Sequence, residues 1–219
     1  MTAYQIIKDA IITGKYQQGK RLTEEELAEQ LHVSRTPIRE AIKQLESEGL
    51  IIPFRKRGVI VREFTETDIR QIYNLRALLE SYATGEAAIQ RNEEEIFQME
   101  QGNHDYEQAI RLLNNPTLGD IESIQQKNQS FHSKVFAAAH NEHVMNHIER
   151  VVVVPLIFRA FYWYSEKQLI QSIEAHKTIL QAIKDRESDR AKAAMHEHIY
   201  LGRDHVLKHI GEKKLTAEF

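Results

Sequence analysis

The sequence contains no cysteine and only four prolines among its 219 residues. A chain without cysteine forms no disulfide and suits a reducing compartment. Long hydrophobic runs are missing as well: the longest, residues 151–158, is closed by an arginine at each end and is far shorter than the about 20 residues that a membrane-spanning helix needs. The first residues alternate apolar and charged side chains and lack the hydrophobic core of a signal peptide. We therefore expect a soluble cytoplasmic protein.

Several catalytic signatures are absent too. The sequence has no His-Glu-x-x-His segment of the metalloprotease kind, no serine nucleophile elbow and no glycine-rich phosphate loop. A general base within a metal-binding motif is therefore missing. These absences argue against an enzyme, and we expect none.

Charge is divided unevenly along the chain, although the formal net charge is only -3. Residues 1–62 hold 11 lysines and arginines against 8 acidic residues, whereas the rest of the chain holds 18 against 24. The hydrophobic fraction of 42% is enough for a real core and excludes a disordered chain. This separation favours a basic, phosphate-binding module joined to an acidic domain.

The length of the predicted segments changes near residue 65. Four glycines interrupt short segments before that point: Gly14, Gly19, Gly49 and Gly58. Long helical stretches with few breakers follow it. We place a linker at 62–66, which divides the chain into an N-terminal domain with linker, 1–66, and a C-terminal domain, 67–219.

The N-terminal domain is predicted to hold three helices and a β-hairpin. The first helix runs from Tyr4 to Thr13 and stops at Gly14. Thr23 and Glu26 form a capping box that begins the second helix, and Ser34 caps a third helix that Gly49 ends. Two short strands, 50–53 and 59–63, flank a basic turn at 54–58. This order is that of a winged helix-turn-helix.

The C-terminal domain is predicted to be entirely helical. Six helices are expected, at 67–91, 93–114, 118–140, 142–164, 166–186 and 188–211. The fold class is therefore all-α with a small β-hairpin wing, an N-terminal winged helix-turn-helix being followed by an antiparallel helical bundle.

The helix that begins at Ser34 has the residue types of a DNA-reading helix. Arg35, Thr36 and Arg39 lie in its first turns and Lys43 follows one turn later. Residues near the start of the second helix of a helix-turn-helix face the base edges, and arginine can donate two bonds to guanine. The opposite stripe of Ile38, Ala41, Ile42 and Leu45 is suited to packing. A winged helix used for protein contacts stays open as the alternative, although the basic turn favours DNA.

The N-terminal segment resembles the GntR family of bacterial regulators over about residues 5–62. The resemblance is carried by residues 27–31, 33–42, 45, 48–51 and 57–61. It implies that Arg35, Thr36, Arg39 and the wing around Gly58 contact an operator. The full set of DNA-binding candidates is Ser34, Arg35, Thr36, Arg39, Lys43, Arg57 and Gly58. Gln18 and His32 depart from the family's usual proline and glycine, both at turns.

Eleven histidines invite a search for a metal site. Asn128 and His132 are four residues apart and share one helix face, while His176 and His198 fall on two further predicted helices beside apolar residues. Three helices could bring these side chains together. The remaining candidates are expected to be solvated or in turns: His140, before a helix cap at Asn141, and His143, His147, His196, His205 and His209.

The C-terminal segment is similar to the FCD sensor domain of the FadR subfamily, over about residues 67–212. The similarity rests on residues 74–80, 128–132, 174–176 and 195–198, and six helices are closer to the VanR-like branch. It implies that Asn128, His132, His176 and His198 bind a divalent ion such as zinc, nickel or manganese. An acidic effector would complete the coordination.

Asparagine at the first ligand position, where aspartate is commoner, changes the charge of such a site. A neutral amide leaves the ion's charge uncompensated, which weakens metal binding and favours an anionic ligand. Arg76 lies on an apolar helix stripe and, if buried, needs a negative partner. Either Glu80, one turn on, or the carboxylate of an effector would serve.

We therefore expect a transcription regulator, most readily a repressor, that binds a palindromic operator as a homodimer and is switched by a small organic acid. One alternative is a metal-dependent hydrolase fused to a DNA-binding module, because three histidines and an open position also describe catalytic zinc sites. Another is a regulator whose helical domain only dimerises.

Overall fold

The computed structural model describes residues 2–54, 58–114, 117–157 and 164–217. These residues belong to two compact units, one comprising residues 1–67 and the other most of the chain from Asp68 onward. In the described part of the chain there are nine helices and one small sheet. A search of the described helices finds no candidate for a membrane-spanning segment.

The first unit is a winged helix. Its elements are α1 (Ala3–Ile12), β1 (Arg21–Leu22), α2 (Glu24–Leu31), α3 (Arg35–Ser47), β2 (Ile51–Pro53) and β3 (Val59–Val61). The sheet is antiparallel in the order β1-β3-β2, and Ile60 pairs with both Arg21 and Ile52. The predicted hairpin is therefore confirmed. A third strand joins it, which the sequence did not indicate because two residues are too few to show an alternating pattern.

Capping begins and ends the helices of this unit. The Thr23 hydroxyl accepts the Glu26 amide at 3.2 Å and Glu26 Oε2 accepts the Thr23 amide at 3.1 Å, which confirms the predicted capping box. Ser34 is the N-cap residue of α3, as expected, although its side chain makes no capping hydrogen bond. His32 ends α2 in the left-handed conformation at φ 53°, which the family's glycine adopts without a Cβ penalty.

The apolar stripe of α3 holds the unit together. Ile38, Ala41, Ile42 and Leu45 are all buried, as their spacing predicts. They share one core with side chains of α1, α2 and the sheet: Ile7, Ile11, Leu27, Leu50, Ile51, Val59 and Val61. The buried face fixes α3, so that its opposite, polar face lies in solvent.

The second unit consists of six helices in the described chain. They are α4 (Glu66–Gln90), α5 (Glu93–Arg111), α6 (Leu118–Ala137), α7 (Glu142–Ile157), α8 (Glu166–Lys184) and α9 (Ser188–Ala217). The six predicted helices are confirmed in order and approximate position. α5 and α6 end about one turn earlier than predicted and α9 ends later. α7 is described as far as Ile157, residues 158–163 of its predicted range lie outside the described residues, and Tyr164, its predicted last residue, is not helical.

Caps again explain the boundaries in this unit. Asn92 and Thr117 begin α5 and α6 with capping boxes. Asn141 Oδ1 accepts the Val144 amide at 3.2 Å at the start of α7, and His140 lies just before it in a left-handed turn at φ 49°. The expected separation of His140 from the helix that follows is therefore confirmed.

Hydrogen bonds join the end of α4 to the turn between α8 and α9. The Arg186 guanidinium donates to the Ile89 carbonyl at 2.8 Å, and the Ser188 hydroxyl donates to the Gly85 carbonyl at 3.0 Å. The end of α4 thus lies beside the turn between α8 and α9. Further inside, α5 packs on α6 and α8, and α8 packs on α9. Together these contacts direct polar side chains of α4, α6, α8 and α9 toward one interior.

Candidate functional site

The polar face of α3 presents the side chains proposed to read DNA. Arg35, Thr36, Arg39 and Lys43 are exposed, as is Ser34 before them. The guanidinium of Arg35 donates through Nη2 to Glu25 Oε1 at 2.9 Å, and Arg39 donates through Nε to Glu24 Oε2 at 2.7 Å. Sequence reasoning missed these ion pairs because they join separate helices of the motif.

The wing turn holds one described candidate. Gly58 adopts φ +88°, and a Cβ there would approach the Leu22 carbonyl oxygen to 2.5 Å. Glycine is therefore required by the close approach of the wing to β1. Arg57, with the rest of the basic turn at 55–57, lies outside the described residues.

A cluster of three histidines lies inside the second unit. His132 on α6, His176 on α8 and His198 on α9 each offer a ring nitrogen, and these atoms lie within 4.8 Å of one another. The Nε2 atoms of His132 and His198 are 3.1 Å apart. Three helices thus converge on one centre, and three of the four metal candidates meet there.

Aromatic neighbours hold the ring of His176. Phe131 stacks on it with ring centroids 4.2 Å apart, and the Tyr106 ring lies 5.0 Å away. Tyr106 is itself fixed, because its hydroxyl is 3.0 Å from the Ser172 hydroxyl. His176 is fully buried, and the packing leaves its imidazole little freedom to turn.

Several polar atoms of the cluster, of Glu80 and of Asn128, which lies one turn before His132 on α6, are buried without a hydrogen-bond partner among the described residues. They are Asn128 Oδ1, His132 Nδ1, both ring nitrogens of His176 and Glu80 Oε2. Buried polar atoms normally have partners, so such a group needs an explanation. Imidazole nitrogens and an amide oxygen are atoms that ligate divalent cations, and the donor set fits one.

The protonation state of the cluster also suits ligation. Burial lowers the pKa of His132 and His176 well below the usual value, and the neighbouring His198 adds to the effect in both. Burial and then Arg76 lower the pKa of His198 to about 4. The three imidazoles are therefore neutral near pH 7, which is the form that binds a metal.

A buried ion pair adjoins the cluster. Arg76 donates through Nε to Glu80 Oε1 at 2.6 Å, and their side chains are only 13% and 1% exposed. Of the two partners that the sequence left open for Arg76, Glu80 is the one present. Its second oxygen lies 3.8 Å from His132 Nδ1. This proximity could not be predicted from the sequence, because it joins α4 to α6.

The other histidines lie outside this cluster. His143, His147 and His196 are exposed, as expected. His140 pairs with Glu95 at 3.0 Å, and His205 shares a 2.8 Å hydrogen bond with Gln168. These two therefore have local partners.

Two cavities are lined by described residues of this unit. A cavity of about 20 Å³ lies beside His198 and is bounded by Tyr164, Ser172 and His205. A cleft of about 520 Å³ between α5 and α8 shares no residue with the cluster.

Comparisons with known proteins agree with this architecture. The bacterial regulatory proteins of the gntR family match residues 1–61, and the FCD domain matches residues 71–201. A protein of Bacillus subtilis (strain 168) named as an uncharacterized HTH-type transcriptional regulator, YdhC, is 30% identical over 210 residues, covering 96% of this chain and 91% of that protein. The gluconate operon transcriptional repressor of Bacillus licheniformis is 25% identical over 194 residues, covering 86% and 76%.

Among solved structures, E. coli McbR/YncC superposes with a TM-score of 0.74 at 22% identity, over 90% of this chain and 92% of that one. At this identity the likeness concerns the fold. It extends over both the winged helix and the helical bundle.

Proposed function

Because the chain belongs to the GntR family of bacterial regulatory proteins and carries an FCD domain, we propose that it is a repressor whose operator affinity is set by a small organic acid bound at the histidine cluster. The expected DNA-binding transcription regulator is confirmed by this membership. The relatives are named as transcriptional regulators, in agreement with the expectation that the chain is not an enzyme.

We assign operator contact to the exposed face of α3 and to the wing. The set is that predicted from the sequence: Ser34, Arg35, Thr36, Arg39, Lys43, Arg57 and Gly58. The burial of the opposite face of α3 supports it, because the polar face is then the one available to a major groove. In this proposal residues 1–66 bind DNA and residues 67–219 sense the ligand and dimerise.

The observation that carries the sensor proposal is the cluster of buried neutral histidines with nitrogens that lack partners. His132, His176 and His198 would hold a divalent ion, with Asn128 as the fourth ligand. Zinc, nickel and manganese are the candidates that the family resemblance implies. Such an ion, when bound, supplies a positive charge and an open position for a carboxylate.

The chain's own residues would shape the anion site. The rings of Phe131 and Tyr106 pack against the fully buried His176 and would keep water from it. Glu80 holds the Arg76 guanidinium next to the cluster and balances its charge in the absence of ligand. A carboxylate arriving there would meet three neutral imidazoles, a neutral amide and an arginine. One relative is named for the gluconate operon, and gluconate is itself a carboxylate, which is consistent with this class of effector.

We also propose a homodimer acting in the cytoplasm. Four large apolar residues of α4 are exposed at heptad-like spacing, namely Leu75 at 45%, Leu78 at 66%, Tyr82 at 44% and Ile89 at 52%. Side chains repeated in this way along one helix suit pairing with a second copy. A dimer would also match a palindromic operator.

The deciding experiment measures binding of a fluorescent operator duplex to metal-loaded protein while mono- and dicarboxylic acids are added one at a time. At least one acid is expected to lower operator affinity in wild type. The same acid should have no effect in His176→Ala, whereas His196→Ala, which changes an exposed histidine, should behave like wild type. A response that persists in His176→Ala would place the effector elsewhere.

A further inference from the structure

The first turn of α2 carries acidic residues that reach the two arginines of α3. Glu25 and Arg35 are 78% and 56% exposed, and Glu24 and Arg39 are 35% and 61% exposed. Both pairs therefore lie in solvent on the side of the motif proposed to face DNA. Negative charge at this place is unexpected for a surface that must approach phosphates.

The atoms used by each pair decide what the arginines can still do. Arg39 is held through Nε, which leaves its two terminal amino groups for another acceptor. Guanine offers O6 and N7 to such a two-pronged donor in the major groove. Arg35 is held through Nη2 and keeps its other donors. An arginine anchored in this way loses less freedom when it binds a base, because its guanidinium is already restrained.

A phosphate contact depends on charge and not on a base edge. It attracts an arginine by charge wherever the duplex is placed, and a carboxylate already bonded to that arginine both offsets the charge and repels the phosphate. The same ion pair therefore weakens contact with the DNA backbone more than it weakens contact with a correctly placed guanine.

From this geometry we propose that Glu24 and Glu25 are specificity-determining residues, which hold Arg39 and Arg35 for base reading and suppress sequence-independent binding to DNA. The inference rests on the proposed operator contacts of α3. It concerns discrimination between sequences and not the ability to bind the operator.

The test compares binding to two duplexes at several salt concentrations. One is the sequence recovered by selection from a random pool with the wild-type protein, and the other is a scrambled duplex of the same composition. Glu24→Gln and Glu25→Gln remove the charges. Glu24→Asp and Glu25→Asp keep a charge at the helix start but shorten the side chain. Glu29→Gln is the control, since it removes one charge from α2 at a residue that forms no ion pair in the described chain.

The glutamine variants should bind the scrambled duplex more tightly and lower the ratio of operator to scrambled affinity by roughly two- to fivefold each, the range expected of exposed ion pairs. On scrambled DNA the salt dependence should steepen by about 0.9 for each arginine that gains a phosphate. The aspartate variants should change the ratio of operator to scrambled affinity in the same direction. Glu29→Gln should leave this ratio near that of wild type.

An unchanged ratio would overturn the inference. If it results from an equal gain in affinity for both duplexes, the glutamates act only as a general source of repulsion. Thermal unfolding of each variant separates this result from loss of fold, and the aspartate pair remains informative if the glutamines destabilise α2. Arg35→Ala and Arg39→Ala, measured on the same duplexes, test the operator contacts themselves. If both arginine variants bind the operator as wild type does, the proposed function is contradicted. If they fail to bind, and the glutamate variants leave the ratio of affinities unchanged, only this inference is contradicted.

Discussion

Glu80 Oε2 lies 3.8 Å from His132 Nδ1, on the side of the imidazole away from His198. The distance is too long for a hydrogen bond, yet the carboxylate favours a proton on Nδ1 and so leaves Nε2 with its lone pair for a ligand. The other oxygen of Glu80 accepts from Arg76. One buried carboxylate thus lies between the proposed effector residue and a proposed metal ligand.

Removal of the two α3 arginines should abolish specific operator binding. Arg35→Ala and Arg39→Ala each lose a guanine contact worth about 1–3 kcal/mol, and since both side chains are exposed the fold should be retained. DNase footprinting on the selected operator provides the measurement, with Arg70→Ala, an exposed arginine of α4, as the control. Full protection by both variants would show that α3 does not read the operator.

Metal content should depend on His176. We expect elemental analysis of gently purified protein to find about one divalent ion per chain in wild type and in His196→Ala, but not in His176→Ala. At a free ion concentration a hundredfold above the dissociation constant, wild type and His196→Ala should be more stable than the metal-free protein by about 2.7 kcal/mol. Their melting temperature should rise accordingly. Asn128→Asp should tighten binding because it adds a negative charge to the ligand set.

The ion-induced shift, and not the starting stability, is the quantity to compare, because truncation of a buried ring also creates a cavity. Equal traces of metal in wild type and His176→Ala, with no stabilisation by zinc, nickel or manganese, would mean that the cluster is a structural core.

The metal-free protein should lose stability as the pH falls from about 6.5 toward 4. The folded-state pKa of His198 is about 4, and burial also lowers those of His132 and His176, so the unfolded chain takes up protons first. The stabilising contribution of the neutral rings is present above the unfolded value near 6.5 and is lost at lower pH, at up to about 1.4 kcal/mol per pH unit for each histidine.

Chemical denaturation at several pH values, with a chelator present, measures this slope. Burial raises the pKa of Glu80, which acts in the opposite direction, so the comparison of variants isolates the histidines. His198→Gln should flatten the profile and His196→Gln should leave it unchanged. Parallel profiles for wild type and His198→Gln would contradict the buried neutral state.

Effector binding should require Arg76. Arg76→Ala is expected to remove the thermal shift produced by the active organic acid, while Arg70→Ala keeps it. Breaking a buried ion pair from one side costs about 3–5 kcal/mol, so Arg76→Gln combined with Glu80→Gln supplies a version without an unpaired charge. Calorimetric titration of the acid into each protein gives the affinity. Undiminished affinity in the double variant would remove Arg76 from the site.

A charge on the apolar face of α4 should produce a monomer. Leu78 is 66% exposed, so Leu78→Arg should leave the fold of one chain intact while preventing a second copy from packing there. Light scattering is expected to find a dimer for wild type and for Phe97→Arg, which alters an exposed aromatic residue of α5, and a monomer for Leu78→Arg. A wild-type monomer, free and on DNA, would refute the dimer itself; a dimeric Leu78→Arg would refute only this interface.

The sequence by itself determined the features that depend on near neighbours along the chain. The buried stripe of α3, the capping box of Thr23 and Glu26 and the separation of His140 from α7 all follow from spacings of a few residues, because helix geometry and capping are local. The family resemblance added which residues to combine, and so named His176 and His198 as companions of His132. Only the tertiary structure decided that these three rings meet and that Glu80 lies between Arg76 and His132. It alone also revealed that Glu24 and Glu25 hold the α3 arginines. Such contacts join separate helices, and their distances are set by how whole helices pack, which no local spacing encodes.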